Sequence, residues 1–574
     1  MFDKKDGTQG ESVSASASDK LKITRKLVSF DVDYIEAGWP GSNPKDMEFF
    51  TRAQTELTEM ERSKLVAFGS TRRKNMNAAD DKQIQALLDS DAPTICIVAK
   101  SHSWQVTDII KADLDENIRM ISDSVSHLTQ HGRNVMVDLE HFFDGYSLNS
   151  TYALECGMAA VNAGASCLVL CDTNGGTMPW QIGTICRDVV QYFQNHSDVT
   201  IGIHCHNDCG MAVANSMMGV QHGVGLVQGT VNGIGERTGN ADLCSIIPAL
   251  ALHVDTQMTC KAQLSHLTQL SRYVDEILNR TPQTSAPFVG ASAFAHKGGL
   301  HVAAMERSPL SYQHIDPELV GNEKRVLISE LSGRQNIMGK IQEVGAVDLD
   351  ADFVSDRATA ILNHVKQLES KGYTFEGAEA SVDLMVLHST SGYCPPFQVL
   401  DYSANVYDSH IDSASRVLAQ DPKLRSENRK LYERPATARA TVMVRTIRPS
   451  NDDDAAVFTD EDSSADKLLP FHDRLEVSDG NGPVDALTKA LMRALVPSYP
   501  ALRSVELADY KVRILDPEAG TKAVTRVLIE FRDATTEKTW TTVSVDSNVI
   551  SASLNALIDG FEYALINHVE LCIL

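Results

Sequence analysis

What the chain lacks narrows its class before any motif is read. Its 574 residues include 11 cysteines but no Cys-x-x-Cys pair and no regular cysteine spacing. That gives no sign of a disulfide framework and fits reduced thiols in a reducing compartment. Positive charge is scarce: 52 Lys and Arg against 76 Asp and Glu give a net charge of -24. No basic patch stands out against so acidic a field, so no nucleic-acid partner is expected. No run approaches the about 18 apolar residues of a membrane span, so a soluble protein with no membrane partner is expected. The first residues, MFDKKDGTQGESVSASASDK, have no apolar core and do not read as a secretory signal. What is present is ordinary globular composition, 43% hydrophobic and 22% charged, at a length that gives two or three domains with full-sized cores.

From residue 20 onward, β-branched runs alternate with longer amphipathic stretches. The runs are VDYIEAG (32–38), KLVAFGS (64–70), PTICIVAK (93–100), NVMVDLE (134–140), SCLVLCDT (166–173), VTIGIHCH (199–206) and LVQGTVNGIG (226–235). Helical patterns lie between them, as at 117–131 and 150–163. Near-continuously apolar strands at regular spacing indicate a parallel sheet of βα units. At this length the natural closure is a (β/α)8 TIM barrel, an α/β fold. Seven strands are visible and the first is expected to be missing, which would open the barrel and expose two edges. The polar residues ending each strand then share one rim, where barrel enzymes keep their sites. They are Glu36, Ser70 to Arg72, Lys100, Asp138, Glu140, Asp172, Thr173, His204, His206 and the stretch 232–240.

Within that rim, IGIHCHND (201–208) stands out. Strand side chains alternate faces, so His204 and His206 point the same way, about one chelate bite apart. Two imidazoles suit a divalent cation, with a carboxylate or amide oxygen to complete the set. Mixed ligation of that kind admits zinc, manganese or magnesium. An isolated HxH is equally well two polar residues at a strand end. Cys205 alternates to the opposite face and reads as packing.

Beyond residue 275 the pattern changes. Residues 282–299 are rich in Pro, Gly, Ser and Ala, and AFAHKGGLH (293–301) reads as a turn entering a helix. Helical stretches follow at 329–344 and 351–371, then strand-like segments at 381–387 and 397–407. Residues 450–466 form an acidic, polar run expected to be disordered. Alternation returns at 510–516, 526–533 and 539–546, flanked by helices at 482–495 and 550–566, with Pro483 at a helix start. Three parts follow: a barrel over 1–275, a linker with helical subdomains over 276–435, and an α+β domain with an antiparallel sheet over 436–574.

IEAGWPGSNPKD (35–46), LEHFFDGY (139–146), LCDTNGGTMP (170–179), IHCHND and GERTGNADL (235–243) closely resemble the citramalate synthases, within the wider group of isopropylmalate and homocitrate synthases. GNGPVDAL (480–487), DYKVRILDPEAGT and VDSNVISAS resemble that family's regulatory dimerisation domain. The resemblance covers almost the whole chain. It implies condensation of acetyl-CoA with pyruvate to citramalate and CoA, in isoleucine synthesis, by a homodimer joined through the C-terminal domain and open to feedback. By residue, it implies a divalent cation held by Asp6, His204, His206 and Asn240. Thr173 would bind the substrate carboxylate, with Gln9 and Lys100 beside it. Glu140 would act near the acetyl group, and His301 and Tyr312 would reach the site from the segment after the barrel. Lys5 stands where the family's DTTLRDGxQ motif has Arg, keeping the charge but not the planar fork. Gln105 stands where related sequences carry His. A misplaced start is the expected reason for the missing strand. The expected location is cytoplasmic, or organellar if a leader precedes the given start. Two alternatives remain: an isopropylmalate synthase acting on 2-oxoisovalerate, and a catalytically impaired copy kept as a regulatory partner.

Overall fold

The computed structural model describes residues 2–3, 13–296, 301, 304–305, 307–326, 337–338, 340–341, 351–390, 393–407, 437–447, 471–536 and 538–568. They fall into two compact units, Met1–Ala295 with Gln313–Arg325, and His296–Tyr312 with Val326–Leu574.

The first unit is built on an eight-stranded sheet whose strands neighbour one another in chain order. They are β1 (Phe2–Asp3), β2 (Ile35–Gly38), β3 (Leu65–Ser70), β4 (Thr94–Lys100), β5 (Asn134–Glu140), β6 (Cys167–Asp172), β7 (Thr200–Cys205) and β8 (Leu226–Gln228). Each adjacent pair is parallel. Helices such as Ala17–Ser29, Leu114–Gln130, Pro179–Tyr192 and Ala212–Gln221 connect them, the order of a (β/α)8 barrel. The first strand is not missing as expected: Phe2 and Asp3 pair with Ile35 and Glu36. Two residues are too few to show as a β-branched run. The last run is strand only over β8. Beyond it the chain makes a short 3-10 turn, Val231–Gly233, with Asn232 in the left-handed region at φ 63°.

Strand alternation makes two cores. Ile95, Ile97, Val135, Val137, Leu168, Leu170, Ile203 and Cys205 pack outward against the helices, which confirms Cys205 as packing. The alternate residues Val66, Phe68, Cys96, Met136, Val169 and Cys171 form a separate inner cluster. Glu36, Asp138 and His204 share that inner parity.

The second unit contains two three-stranded antiparallel sheets. Phe397–Tyr407, Thr437–Ile447 and Phe471–Gly480 form one, and Val505–Ile514, Thr525–Asp533 and Thr539–Asp546 the other. Helix Pro483–Leu495 packs on the first and helix Val549–His568 on the second, with Val442, Leu491, Ile529, Phe531 and Leu557 in one shared core. The turn into the first helix needs glycine: a Cβ on Gly480 would come 2.4 Å from the Ala486 nitrogen. Residues 381–387, expected as a strand, lie in the helix Glu379–His388. Its Ala380, Val382, Leu384 and Val386 are all buried, so burial around most of the helix left no polar stripe to mark its period. The closing stretch Val549–Ile566 is long and apolar enough on average to cross a membrane, although Asp559 and Glu562 interrupt it. Its Leu554, Leu557, Phe561 and Leu565 are buried, as befits a core helix. The described cysteines are all unpaired. The acidic run 450–466 and most of 329–344 lie outside the described residues.

Candidate active site

β7 ends at Cys205, which puts His204 inside the strand and His206 one residue beyond it, in an isolated bridge with Asn240. The two imidazole centroids are 5.1 Å apart. His204, His206 and Asn240 are 5%, 8% and 2% exposed. The GERTGN loop folds back to make this meeting: Asn240 N–H donates to the Gly233 carbonyl at 3.1 Å, Ala241 N–H to Cys205 at 2.9 Å, and Asn207 N–H to Gly239 at 2.9 Å. Glycine is required at two places there. A Cβ on Gly235 would lie 2.1 Å from Asn240 Nδ2, and one on Gly239, at φ +91°, would lie 2.0 Å from the Gly233 oxygen.

Asn240 donates its amide to the Ile234 carbonyl at 3.3 Å, while its Oδ1 is buried with no hydrogen-bond partner. Such an oxygen costs about 1–3 kcal/mol unless something engages it. An orphaned amide oxygen beside two buried imidazoles fits a divalent cation. His204 Nδ1 lies 2.9 Å from Gln228 Oε1. A second group of potential ligands, Glu36, Cys96 and Asp138, has its donor atoms within 4.8 Å of one another. There the Cys96 thiol donates to Asp138 Oδ1 at 3.1 Å, and burial pushes its pKa well above the usual thiol range. A donating thiol is a poor cation ligand, so the imidazole and amide set is the better fit. Lys5, Asp6 and Gln9 lie outside the described residues.

Lys100 and Glu140 face each other in register across β4 and β5 and form an ion pair. The expectation gave them separate roles, and the structure joins them. Thr173, just past β6, accepts the His141 N–H on its Oγ1 at 2.8 Å. Its carbonyl accepts from Arg237 Nη2 at 2.9 Å, and the same guanidinium makes a two-pronged contact with Asp208, Nε to Oδ1 at 2.8 Å and Nη2 to Oδ2 at 2.9 Å. These bonds hold the Asp208 carboxyl below the usual carboxylate range. Arg237 therefore ties together the loops after β6, β7 and β8. Beside it, buried Asp172 has its pKa raised by desolvation and accepts the Thr177 hydroxyl at 2.8 Å.

Next to Glu140 and Thr173 lies a pocket of about 490 Å³, lined by His102, Trp104, Gln105, His141, Asp144, Ser147, Leu148 and Asn174. Burial lowers the His141 pKa, which favours the neutral ring. His301 and Tyr312 belong to the second unit and stack on each other with centroids 4.2 Å apart. Sequence reasoning missed Gln228, His102 and His141, and placed Arg237 on the rim within 232–240 without its role. Gln228 left a signal as the polar residue of an apolar run, and Arg237 as the cation between the glycines of GERTGN.

The HMGL-like family model matches residues 2–274, the homocitrate synthase post-HMGL domain-like model residues 288–372, and the LeuA allosteric (dimerisation) domain residues 436–565. That series defines the class: a barrel synthase with an appended allosteric domain. The (R)-citramalate synthase of Synechocystis sp. is 42% identical over 98% of this chain and 94% of that protein. That of Geobacter sulfurreducens is 41% identical over 98% and 96%. The 2-isopropylmalate synthase of Pseudoalteromonas atlantica is 25% identical over 96% and 93%. The chain belongs to the (R)-citramalate synthase family.

Proposed function

We propose that this protein is a cytoplasmic, divalent-metal-dependent acyltransferase that condenses acetyl-CoA with pyruvate, giving (R)-citramalate and free CoA for isoleucine synthesis. The observation that carries the reading is the buried His204, His206 and Asn240 set in a chain 42% identical, almost end to end, to an (R)-citramalate synthase. The chain divides into the barrel at 1–275, the linker region at 276–435 and the regulatory domain at 436–574, through which it forms a homodimer.

His204, His206 and Asn240, with Asp6 by match, would hold the cation, and zinc, manganese and magnesium all suit such mixed ligation. When bound, it supplies Lewis-acid polarisation of a 2-oxo acid carbonyl. Thr173 binds the substrate carboxylate: with the His141 N–H already accepted on its Oγ1, its own hydroxyl proton is the one to donate. Gln9 and Lys100 complete the substrate contacts. Taking a proton from an acetyl thioester methyl needs a placed base and a stabilised enolate. Glu140 works at the acetyl group, with Lys100 holding its carboxylate in place. The adjoining pocket takes the acetyl-CoA arm. Lys5 supplies positive charge to the developing oxyanion, and His301 and Tyr312 are catalytic residues by match to the family.

The test is thiol release from acetyl-CoA with pyruvate and then with 2-oxoisovalerate, with and without chelator. Chelator-sensitive turnover on pyruvate is expected. Preference for 2-oxoisovalerate would overturn the substrate assignment. Silence on both, with metal restored, would point to a catalytically impaired regulatory partner.

A further inference from the structure

We propose that Gln228 is a positioning residue that fixes which nitrogen of His204 faces the cation, and that Asp138, with Cys96, fixes Gln228 in turn. The inference rests on the metal-site reading above and extends it to residues outside the ligand set.

Four strands contribute. Cys96 on β4 and Asp138 on β5 share the inner face with His204 on β7, and Gln228 on β8 is the Cα partner of His204. Asp138 Oδ1 accepts two hydrogen bonds, from Cys96 Sγ at 3.1 Å and from Gln228 Nε2 at 3.0 Å. Gln228 Oε1 then faces His204 Nδ1 at 2.9 Å. Cys96 and Gln228 are fully buried and Asp138 is 6% exposed, so bulk water is not at hand to replace a partner.

The order of these contacts makes the chain directional. A carboxylate only accepts, so the Gln228 amide must turn its NH2 toward Asp138. The opposite orientation would set the amide oxygen against the carboxylate oxygen. With the NH2 committed, the group facing His204 is an oxygen that also only accepts, so Nδ1 carries the proton. A neutral imidazole has one N–H, which leaves the lone pair on Nε2, the nitrogen then able to ligate. The Cys96 thiol donates a second bond to the same carboxylate oxygen and anchors the far end. Without this chain His204 would divide between two tautomers, only one of which ligates through Nε2.

Gln228→Leu and Asp138→Asn, made in the full chain, separate positioning from packing. Leucine removes the relay. Asparagine keeps size and shape but can turn either its oxygen or its NH2 toward Gln228, so the Gln228 amide is no longer held to one orientation. Two readouts are taken on metal-free protein: the His204 tautomer from ring-15N-histidine NMR, assigned by its loss in His204→Ala, and the melting temperature. A third is the Kd for zinc and for manganese, measured against a competing chelator. The expected result is an Nδ1–H tautomer in the parent and a mixture in both variants. Metal binding should weaken about 10- to 100-fold, while Asp138→Asn melts within a few degrees of the parent. An unchanged tautomer and Kd in folded Asp138→Asn would overturn the inference and leave Gln228 a packing residue. If the parent itself bound no divalent ion, the metal-site reading would fail, and the tautomer shift would still decide the positioning role by itself.

Discussion

Replacing Arg237 by alanine should loosen three rim loops at once. Its guanidinium makes three bonds of 2.8 to 2.9 Å, two to Asp208 and one to the Thr173 carbonyl. Hydrogen bonds to a charged group contribute about 1.5–3 kcal/mol each when well buried, but the Arg237 and Asp208 side chains are 39% and 26% exposed. Exposed pairs contribute about 0–1 kcal/mol, so with two-pronged geometry the pair is worth about 1 kcal/mol. A double-mutant cycle with Asp208→Ala, in urea unfolding followed by tryptophan fluorescence in a Trp540→Phe background, should return that coupling for the first unit. Arg237→Lys should behave more like alanine than like the parent, because an ammonium cannot span both carboxylate oxygens. The pH dependence has a definite sign. The folded Asp208 carboxyl is held below its ordinary value, so its contribution is fully present above the unfolded carboxylate pKa of about 4. It is lost as pH falls through the depressed value. The parent-minus-variant difference should therefore be flat from about pH 5 to 8 and shrink in acid. Single-mutant effects that add to within about 0.3 kcal/mol would refute the tie, as would a fully parent-like Arg237→Lys.

His204→Ala should lose stoichiometric divalent metal, read by elemental analysis after gel filtration, along with chelator-sensitive turnover; retention of both would dismiss the site. Gly239→Ala should lower the first unit's melting temperature and weaken metal binding at least about tenfold, because its Cβ would sit 2.0 Å from a backbone oxygen at φ +91°. Gly132→Ala, at φ +74° with nothing within 4 Å, should cost only the left-handed strain of about 1–2 kcal/mol and leave metal binding unchanged. In the second unit, burial with Glu562 nearby pushes Asp559 up to about 7. Its folded pKa is raised, so stability falls as pH rises from about 4 to 7, and Asp559→Asn should flatten that slope in the Trp540-reported melt. The bond that the His388 imidazolium donates to the Glu562 carboxylate at 2.6 Å raises the His388 pKa, a contribution present below its ordinary pKa and lost as pH rises through the raised value. That slope should survive in Asp559→Asn and vanish in His388→Ala.

The barrel was legible because six of its strands, β2 to β7, are long enough to alternate over two buried faces. β1 escaped because two residues carry no period, and β8 was read too long because Gly229 to Gly235 keep apolar residues inside a turn. The helix Glu379–His388 imitated a strand because buried contacts around it removed the polar stripe. At the site, HxH and GERTGN marked His204, His206 and Asn240, and the fold brings His206 and Asn240 into one bridge. The Arg237 tie was not legible, since no spacing rule connects residues 173, 208 and 237 before the loops are placed. Lys100 and Glu140 were each visible, but their pairing depends on the β4–β5 register.

The inner row of the barrel explains why that register matters for chemistry. The outward row packs on the helices with Ile, Val and Leu, whereas the inner row carries Glu36, Asp138, His204 and Gln228 at positions that a barrel ordinarily fills with branched apolar side chains. Burying such groups is unfavourable unless each is bonded, and apolar substitutes of similar volume would hold the sheet at least as well. Stability therefore does not account for them. What they provide is direction: a carboxylate that only accepts, an amide that must turn to suit it, and an imidazole left with one nitrogen to offer. The strand that supplies the ligand and the strand that orients it are hydrogen-bonded neighbours, so sheet register alone aligns ligand and support.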